Sequence, residues 1–260
     1  MTPEQADILA LYGVPGVGAK TFAMLTRRFG SATAVFDAAD DELLDLSGFG
    51  EKSVAALRSF DRSAFIEKQK KLMEACGARI VVRGSPEYPP MLDMFASAPP
   101  VLFVRGDVSI LSKDAVAIVG TRAATAYGER LARRIAGGLA ESGFVVTSGM
   151  ADGIDSFAHH AALDAGGETV AVFGCGVDVI YPKRNERLSR DIERAGCLVS
   201  HFPMGTTGQP GNFPARNAVV VGLSRATVVV EAGTKSGALI TADLSLRANR
   251  PLFAVPGDAD

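Results

Sequence analysis

The segment 116–155 constrains the fold more than any other part of the chain. It opens with an apolar run at 116–119 that ends at a glycine, as is typical of a strand buried on both faces. Apolar residues then recur at every fourth position from Leu131, which predicts a helix with one apolar face, and a second apolar run lies at 144–147. Strand, helix and strand within about 30 residues predict a right-handed βαβ unit with parallel strands.

The same alternation continues to the end of the chain. The predicted strands are 116–119, 144–147, 169–173, 197–200, 227–231 and 252–255. The predicted helices are 127–142, 155–165, 185–195, 215–223 and 236–248. Strands that alternate with helices of this length indicate an α/β domain with a doubly wound, mostly parallel sheet. Two short apolar runs, 79–82 and 101–104, flank a proline-rich segment and are expected to be strands or extended segments at the entrance to this sheet.

Residues 2–62 predict a separate helical unit with an internal repeat. The run Gly16-x-Gly18-x-Lys20 is echoed 32 residues later by Gly48-x-Gly50-x-Lys52. A Gly-x-Gly turn between short helices resembles helix-hairpin-helix modules, in which backbone N–H groups approach a nucleic-acid phosphate. The alternative is that the glycines only permit tight turns in a small packing unit. We expect a helical domain with its connector over 1–75 and the α/β domain over 76–260.

Composition and charge restrict the classes of function. The formal net charge of −2 excludes a uniformly basic surface, so any nucleic-acid binding must use a local groove. No apolar run is long enough to span a bilayer, and no membrane partner is expected. Cys76, Cys175 and Cys197 lack CxxC spacing, which favours reduced thiols in a cytoplasmic protein and argues against a zinc site or a disulfide framework.

Glycine-rich loops follow the predicted strands, and parallel strands bring such loops to one edge of a sheet. The loops are 120–122, 148–155, 174–178 and 231–237, joined by the helix start at 212–217. Arg122, Arg216 and Lys235 on these loops predict a basic pocket, because arginine offers a bidentate fork and lysine a compact charge to phosphate oxygens. Ser148 and Ser236 have no neighbouring base pattern, so they fit phosphate donors better than nucleophiles.

The loops do not match the common nucleotide and metal sites. Gly-x-x-x-x-Gly-Lys-[Ser/Thr] is absent, and the first loop reads Gly-Thr-Arg at 120–122 in place of Gly-x-Gly-x-x-Gly. These departures argue against a P-loop ATPase and against dinucleotide binding. Asp152, Asp155 and His159 allow a metal-site interpretation. The alternative, which we favour, is that Asp155 caps a helix and Asp152 braces its own loop, so no metal is expected.

Six motifs follow one another along the α/β part of the chain. They are Gly-Thr-Arg at 120–122, Ser-Gly-Met-Ala-Asp-Gly-Ile-Asp at 148–155, Gly-Cys-Gly-Val-Asp-Val-Ile-Tyr-Pro at 174–182, Phe-Pro-Ala-Arg-Asn at 213–217, Lys-Ser-Gly-Ala-Leu-Ile-Thr-Ala at 235–242 and Phe-Ala-Val-Pro-Gly at 253–257. In this order they resemble the DprA family of bacterial DNA-processing proteins, also called Smf. The resemblance runs from about Arg79 to the end of the chain.

The resemblance implies a Rossmann-like domain preceded by a helix-hairpin-helix or SAM-like module. It further implies a homodimer that binds and protects single-stranded DNA and loads the RecA recombinase during natural transformation, with no enzymatic activity and no cofactor. Arg122 would be the main phosphate clamp, and Phe213 could stack on a base, which is worth about 1–3 kcal/mol. The DNA-binding residues that the motifs imply are Gly120, Thr121, Arg122, Ser148, Gly149, Gly174, Gly176, Lys183, Phe213, Arg216, Asn217, Glu231, Lys235 and Ser236.

Two departures from the family pattern bear on these expectations. Ala218 follows Arg216-Asn217 where the family usually has a basic residue, which would lower the charge of the pocket. The sequence ends at Asp260, where the family usually continues with a further segment and often with a winged-helix domain. We therefore expect weaker dimerisation if that edge is missing.

Two other functions remain open for this kind of fold. Nucleotide phosphoribohydrolases of the cytokinin-activating type have a Gly-Thr turn near a catalytic Glu. Here Gly233-Thr234 has no Glu three residues on, although Glu231 precedes the turn. A small-nucleotide sensor would use the same pocket. Release of free base from a nucleoside monophosphate would favour the enzyme, and strand binding whose affinity grows with length would favour the DNA-binding protein.

Overall fold

The computed structural model describes residues 1–95, 97–234 and 236–257. Its helices are α1 (Pro3–Gly13), α2 (Ala19–Phe29), α3 (Ala32–Asp37), α4 (Asp40–Leu44), α5 (Glu51–Ser59), α6 (Arg62–Cys76), α7 (Pro90–Asp93), α8 (Ala126–Glu141), α9 (Ile154–Asp164), α10 (Glu186–Ala195), α11 (Asn212–Leu223) and α12 (Gly237–Arg247). Its strands are β1 (Arg79–Val82), β2 (Val101–Gly106), β3 (Ala115–Val119), β4 (Val145–Ser148), β5 (Thr169–Val172), β6 (Cys197–Ser200), β7 (Ala226–Val229) and β8 (Leu252–Ala254). Among the described residues, no helix is long and apolar enough to cross a membrane.

The strands form one sheet in the order β1-β2-β6-β5-β4-β3-β7-β8. From β6 to β8 all neighbours are parallel, as predicted. Residues 79–82 and 101–104 are strands, as predicted, but their predicted position is wrong, because β1 and β2 form an antiparallel edge of the main sheet and do not lie at its entrance. Residues 101–104 are fully buried, and a buried backbone needs hydrogen-bond partners on a neighbouring strand.

The order of the parallel strands reverses at β3. The chain runs outward from β3 through β4 and β5 to β6, and then returns so that β7 lies on the other side of β3. Such a reversal is a topological switch point, and in open α/β sheets ligands bind in the crevice beside it, at the carboxyl ends of the strands. The fold therefore directs attention to the loops after β3 and β7.

Both faces of β3 are buried, which explains its uninterrupted apolar sequence. Ala117 and Val119 belong to the same core cluster as Val219 of α11. Val116 and Ile118 belong to a second cluster, which contains residues of α8 and α9. Helices therefore cover the sheet on both sides, as expected for a doubly wound domain.

The buried face of α8 differs from the predicted one by one position. Ala132, Ala136 and Ala140 are the buried residues, whereas the apolar series that begins at Leu131 is only partly buried. Alanine lets the helix axes approach closely, and α8 packs extensively against α9. The larger apolar side chains flank this close contact and shield it from water.

The first 60 residues have a hydrophobic cluster of their own, which includes Val17 and Phe49 of the two Gly-x-Gly turns. The helical segment is also attached to the sheet. Met73 of α6 belongs to a cluster with sheet residues, and the Met204 N–H donates to Gln69 Oε1 at 2.8 Å. The domain boundary between residues 75 and 76 stays a prediction.

Candidate nucleic-acid interface

The ends of β3 and β7 lie side by side, and the loops after them are joined. The Thr121 N–H donates to the Glu231 carbonyl oxygen at 2.7 Å. Gly120, the first residue after β3, lies so close to α9 that an added Cβ atom would be 2.5 Å from Ile154 Cγ1. Only glycine allows this approach, so the Gly-Thr-Arg turn is explained by packing as well as by ligand binding.

An open cleft of about 560 Å³ lies at this switch point, which is within the usual range for ligand sites. Its predicted lining residues are Gly120, Thr121, Arg122, Phe213, Arg216, Asn217 and Ser236. The other lining residues, which the sequence analysis did not assign to the cleft, are Val119, Ala151, Asp155, Gly233, Thr234, Gly237, Ala238 and Thr241. Several of these lie in the 235–242 motif, whose apolar members gave no chemical signal.

Arg122 and Phe213 meet at the edge of the cleft. Arg122 is exposed, and its Cζ atom lies 5.2 Å from the centroid of the Phe213 ring, which is half-buried. The distance is within the range of a cation–π contact. The side chain is therefore held beside an aromatic face while its N–H groups stay accessible to a ligand.

Tyr181 adds a second aromatic ring that the sequence analysis did not select. Its ring centroid is 5.9 Å from that of Phe213, and 45% of the residue is exposed. Tyr181 and Phe213 line a small side pocket together with Arg122. The signal in the sequence that could have identified Tyr181 was an aromatic residue shortly after a glycine-rich loop. Its proximity to Phe213 could not be predicted, because the two residues are distant in sequence.

Arg216 lies under the cleft with most of its donors already used. It is 5% exposed, and one terminal nitrogen donates to the carbonyl oxygens of Gly149 and Val172. Its Nε–H donates to Asn217 Oδ1 at 3.0 Å. Burial lowers the pKa of the guanidinium, and the charge of Asp155 opposes that shift. Arg216 therefore lines the cleft as predicted, but its Nε and Nη1 donors already bind protein oxygens and join the loop after β4 to the end of β5. Its predicted role in DNA binding stays a prediction.

Asp155 does not cap α9, contrary to the sequence prediction. The N-cap residue is Gly153, and the Asp155 carboxylate accepts from the N–H groups of Gly149 and Ala151 at 3.2 and 3.3 Å. Burial raises the pKa of this carboxyl, while the charge of Arg216 counteracts the effect. Asp155, at the start of α9, thus stabilises the loop that follows β4.

Ser148 and Glu231 also have structural duties. Ser148 is fully buried and donates to the Ile118 carbonyl oxygen at 2.6 Å, so its predicted role as a phosphate donor is wrong. One oxygen of the Glu231 carboxylate accepts from Thr125 N–H and Oγ1 at 3.0 and 3.1 Å. Glu231 therefore braces the start of α8.

The remaining predicted residues are divided between packing positions and the surface. An added Cβ atom on Gly174 would be 2.9 Å from Phe213 Cδ1, so this glycine makes room for the ring. The Gly176 N–H donates to the Thr206 carbonyl oxygen at 2.9 Å. Lys183 is exposed in the short turn before α10. Lys235 lies outside the described residues.

The metal-site interpretation finds no support in the described ranges. No group of three or more His, Cys, Asp and Glu residues there could hold a metal ion. His159 is fully buried with Nδ1 2.7 Å from Thr169 Oγ1, and Asp152 pairs with Arg184 at 2.5 Å. The Asp152 side chain thus bridges to another loop, where an Asx-turn within its own loop was expected.

Comparison with known proteins identifies the family. Residues 79–260 match the family model for DNA recombination-mediator protein A. The chain belongs to this family. Protein Smf of Synechocystis sp. is 37% identical over 265 residues, which cover 99% of this chain and 66% of the relative. DNA processing protein DprA of Streptococcus pneumoniae is 41% identical over 170 residues, which cover 65% of this chain and 60% of the relative.

Solved structures of the family share the fold. The X-ray structure of DprA from Streptococcus pneumoniae aligns with a TM-score of 0.83 at 29% identity, covering 100% of this chain and 89% of that one. DNA processing protein A from Helicobacter pylori, whose structure gives insights into its single-stranded DNA binding mode, aligns with a TM-score of 0.65 at 30% identity over 70% and 82% of the chains. The present chain spans 66%, 58% and 60% of three curated relatives from Synechocystis, Escherichia coli and Streptococcus pneumoniae.

Proposed function

We propose that the cleft at the β3–β7 switch point binds single-stranded DNA. The observation that carries the proposal is the exposed Arg122 guanidinium held over Phe213, with Tyr181 beside it. Arginine is suited to phosphate oxygens, and aromatic rings stack on unpaired bases of any sequence. The single-stranded DNA binding mode of the Helicobacter pylori relative supports the same reading.

Single strands fit this arrangement better than duplexes. The bases of a duplex are stacked on each other and cannot offer a face to Phe213 and Tyr181. Recognition of the major groove uses a helix or a two-stranded ribbon that enters the groove. Here the candidate contacts come from the loops that carry Arg122 and Tyr181 and from the first turn of α11, which carries Phe213. We therefore expect a preference for single-stranded DNA with little sequence dependence.

Fluorescence anisotropy with a labelled single strand and its duplex, at two salt concentrations, tests the proposal. Arg122→Ala should weaken single-strand binding about tenfold or more, because a hydrogen bond to a charged group contributes about 1.5–3 kcal/mol. The matched control is Arg130→Ala, since Arg130 lies 5.9 Å from the Tyr127 ring centroid and does not line the cleft. Lys183→Ala should have a smaller effect than Arg122→Ala. Equal affinity for the strand and the duplex would contradict the proposal.

We further propose that the protein protects incoming DNA and loads the RecA recombinase onto it during natural transformation. The family's description as a recombination mediator supports this role. Loading is measured as the rate of RecA assembly on a strand precoated with single-strand-binding protein. The wild-type chain should raise this rate, and Arg122→Ala should not. No increase with the wild-type chain would contradict loading while leaving DNA binding to be judged by anisotropy.

We propose that the cleft holds phosphates without cleaving them. The Glu231 carboxylate accepts two hydrogen bonds from Thr125, so its structural role accounts for its position. Labelled DNA, ATP and nucleoside monophosphates incubated with the protein, with and without magnesium, should remain intact. Turnover that persists through purification and disappears in Glu231→Gln would favour the phosphoribohydrolase alternative.

We also propose a cytoplasmic location. Cys76, Cys175 and Cys197 are free thiols, and burial raises the pKa of Cys175 to about 11. Neutral buried thiols are typical of proteins kept in a reducing compartment. Fractionation of cells that produce the tagged protein tests the location, and recovery in an extracellular or membrane fraction would contradict it.

A further inference from the structure

A second pocket lies on the opposite flank of α11 from the cleft residues. Its volume is about 420 Å³, and it is bounded by the start of α2, the segment after α7 and the residues that follow β6. Phe95, Phe202 and Leu92 form apolar and aromatic walls. We call it the α2 pocket. It has no lining residue in common with the switch-point cleft.

His201 is the buried polar group that lines the α2 pocket. It is 7% exposed, its ring lies 4.0 Å from that of Phe202, and its Nδ1 has no hydrogen-bond partner among the described residues. Burial and the charge of Arg216 lower the pKa of His201 to about 4. The ring is therefore neutral near pH 7, with one donor and one acceptor nitrogen. Such a ring suits the polar edge of an uncharged group and does not suit an anion.

The mouth of the α2 pocket, unlike its interior, suits an anion. Ala19 and Lys20, the first two residues of the 11-residue helix α2, line it, and the N-cap residue Gly18 has no side-chain cap. Uncapped N–H groups at a helix N-terminus favour a phosphate, and the exposed Lys20 ammonium adds a positive charge. The pocket therefore combines a mainly apolar interior, where His201 and Tyr12 carry polar groups, with an anion-binding mouth.

We propose that the α2 pocket binds a nucleoside monophosphate. The base would lie between the aromatic walls with its edge at His201, and the phosphate would lie at Ala19 and Lys20. A nucleotide matches both halves of the pocket because it joins a flat ring with a polar edge to an anionic group. The proposal does not rest on DNA binding at the switch-point cleft.

Isothermal titration of the full chain with deoxyadenosine monophosphate, deoxyadenosine and inorganic phosphate tests the proposal. Lys20→Ala should weaken the monophosphate about tenfold and leave deoxyadenosine unchanged, as expected for the loss of one charged hydrogen bond. The matched control is Lys52→Ala, the equivalent position of the second Gly-x-Gly repeat, which is not at the pocket. His201→Phe keeps a ring but removes both nitrogens, so it should weaken the monophosphate and deoxyadenosine alike.

Arg122→Ala should bind the monophosphate as the wild-type chain does, which separates this site from the switch-point cleft. Amide NMR shifts of Ala19 and Lys20 in the wild-type chain give a second measurement that does not depend on the folding of His201→Phe. Absence of monophosphate binding, or equal weakening in Lys20→Ala and Lys52→Ala, would overturn the proposal. If a short oligonucleotide displaces the monophosphate, the pocket takes a nucleotide of a strand, and if both bind together it takes a free nucleotide.

Discussion

The guanidinium of Arg122 lies over the ring of Phe213, with 5.2 Å between Cζ and the ring centroid. Arg122 lies in the loop after β3, and Phe213 is the second residue of α11. Their contact places a fixed positive charge beside a surface on which a base can stack. A phosphate and its neighbouring base could therefore be held at one place, and the contact can be tested by disturbing the ring without touching the charge.

Gly174→Ala should weaken single-strand binding by displacing Phe213. The new Cβ atom would be 2.9 Å from Phe213 Cδ1, so the ring must move. Loss of one stacked base should reduce the binding free energy by about 1–3 kcal/mol. Gly233→Ala is the control, because Gly233 also lines the cleft but an added Cβ atom there meets no atom within 4 Å. Anisotropy titrations of both variants that overlay on the wild type would show that Phe213 is not a stacking surface.

Arg216→Met should reduce the free energy of unfolding by about 3–5 kcal/mol, the usual cost of breaking a buried charged network. The change leaves the carbonyl oxygens of Gly149 and Val172 without this donor and removes the positive charge that opposes the pKa shift of Asp155. Urea denaturation measures the loss. Arg247→Met, in a side chain that is 77% exposed, should change stability by no more than about 0.5 kcal/mol. Similar midpoints for the two variants would contradict the structural role.

Acidification should destabilise the fold through His159. Burial lowers the pKa of His159 from 6.5 to about 3, so the unfolded chain binds a proton that the folded chain rejects. The contribution of His159 is complete above pH 6.5 and is lost as the pH falls from there towards 3, at about 1.4 kcal/mol per pH unit. His159→Gln should have a shallower dependence of unfolding free energy on pH between 6 and 4. A dependence of the unfolding free energy on pH that is the same in His159→Gln and in the wild type would contradict this role.

Leu246→Glu should weaken a homodimer about tenfold or more, because burying one leucine is worth about 1.5–3 kcal/mol. We propose the exposed apolar surface of α12 and β8 as the interface of the homodimer that the family resemblance implies, because Leu246 is 64% and Phe253 58% exposed there. Light scattering across a dilution series measures the dissociation constant. Met94→Glu alters a residue that is 77% exposed at the end of α7 and should leave the constant unchanged. A wild-type chain that is monomeric throughout the series would contradict this interface.

The sequence predicted the α/β elements well because their cause is local. The apolar run of β3 is buried on both faces, and a short apolar run that ends at a glycine is typical of such a strand. The sequence also located Arg122 and Phe213, whose motifs end at the carboxyl edge of the sheet. The edge formed by β1 and β2 was placed incorrectly because the partner of an antiparallel strand is set by tertiary packing.

The roles of polar residues were harder to predict, because they depend on where each side chain points and the sequence does not show this. Ser148 ends β4 with its hydroxyl directed at the Ile118 carbonyl oxygen, and nothing in the sequence distinguishes that direction from one into the cleft. Arg216 stands in a motif that suggests phosphate binding, yet it donates to the carbonyl oxygens of Gly149, after β4, and Val172, at the end of β5. Tyr181 was not selected because its place in the candidate site depends on its contact with the Phe213 ring. The two residues are more than 30 positions apart in the sequence, so this contact could not be predicted.

Glu231 preorganises the cleft by holding two neighbouring segments of the chain in place. Its carbonyl oxygen accepts from Thr121 and its carboxylate from Thr125, so one residue ties the turn after β3 and the first turn of α8 to the end of β7. Such preorganisation spares the protein the entropy loss of ordering its loops upon association. For the single strand that we propose as the ligand, the entropic cost would then fall on the flexible strand, and we expect no slow loop rearrangement to limit the association rate.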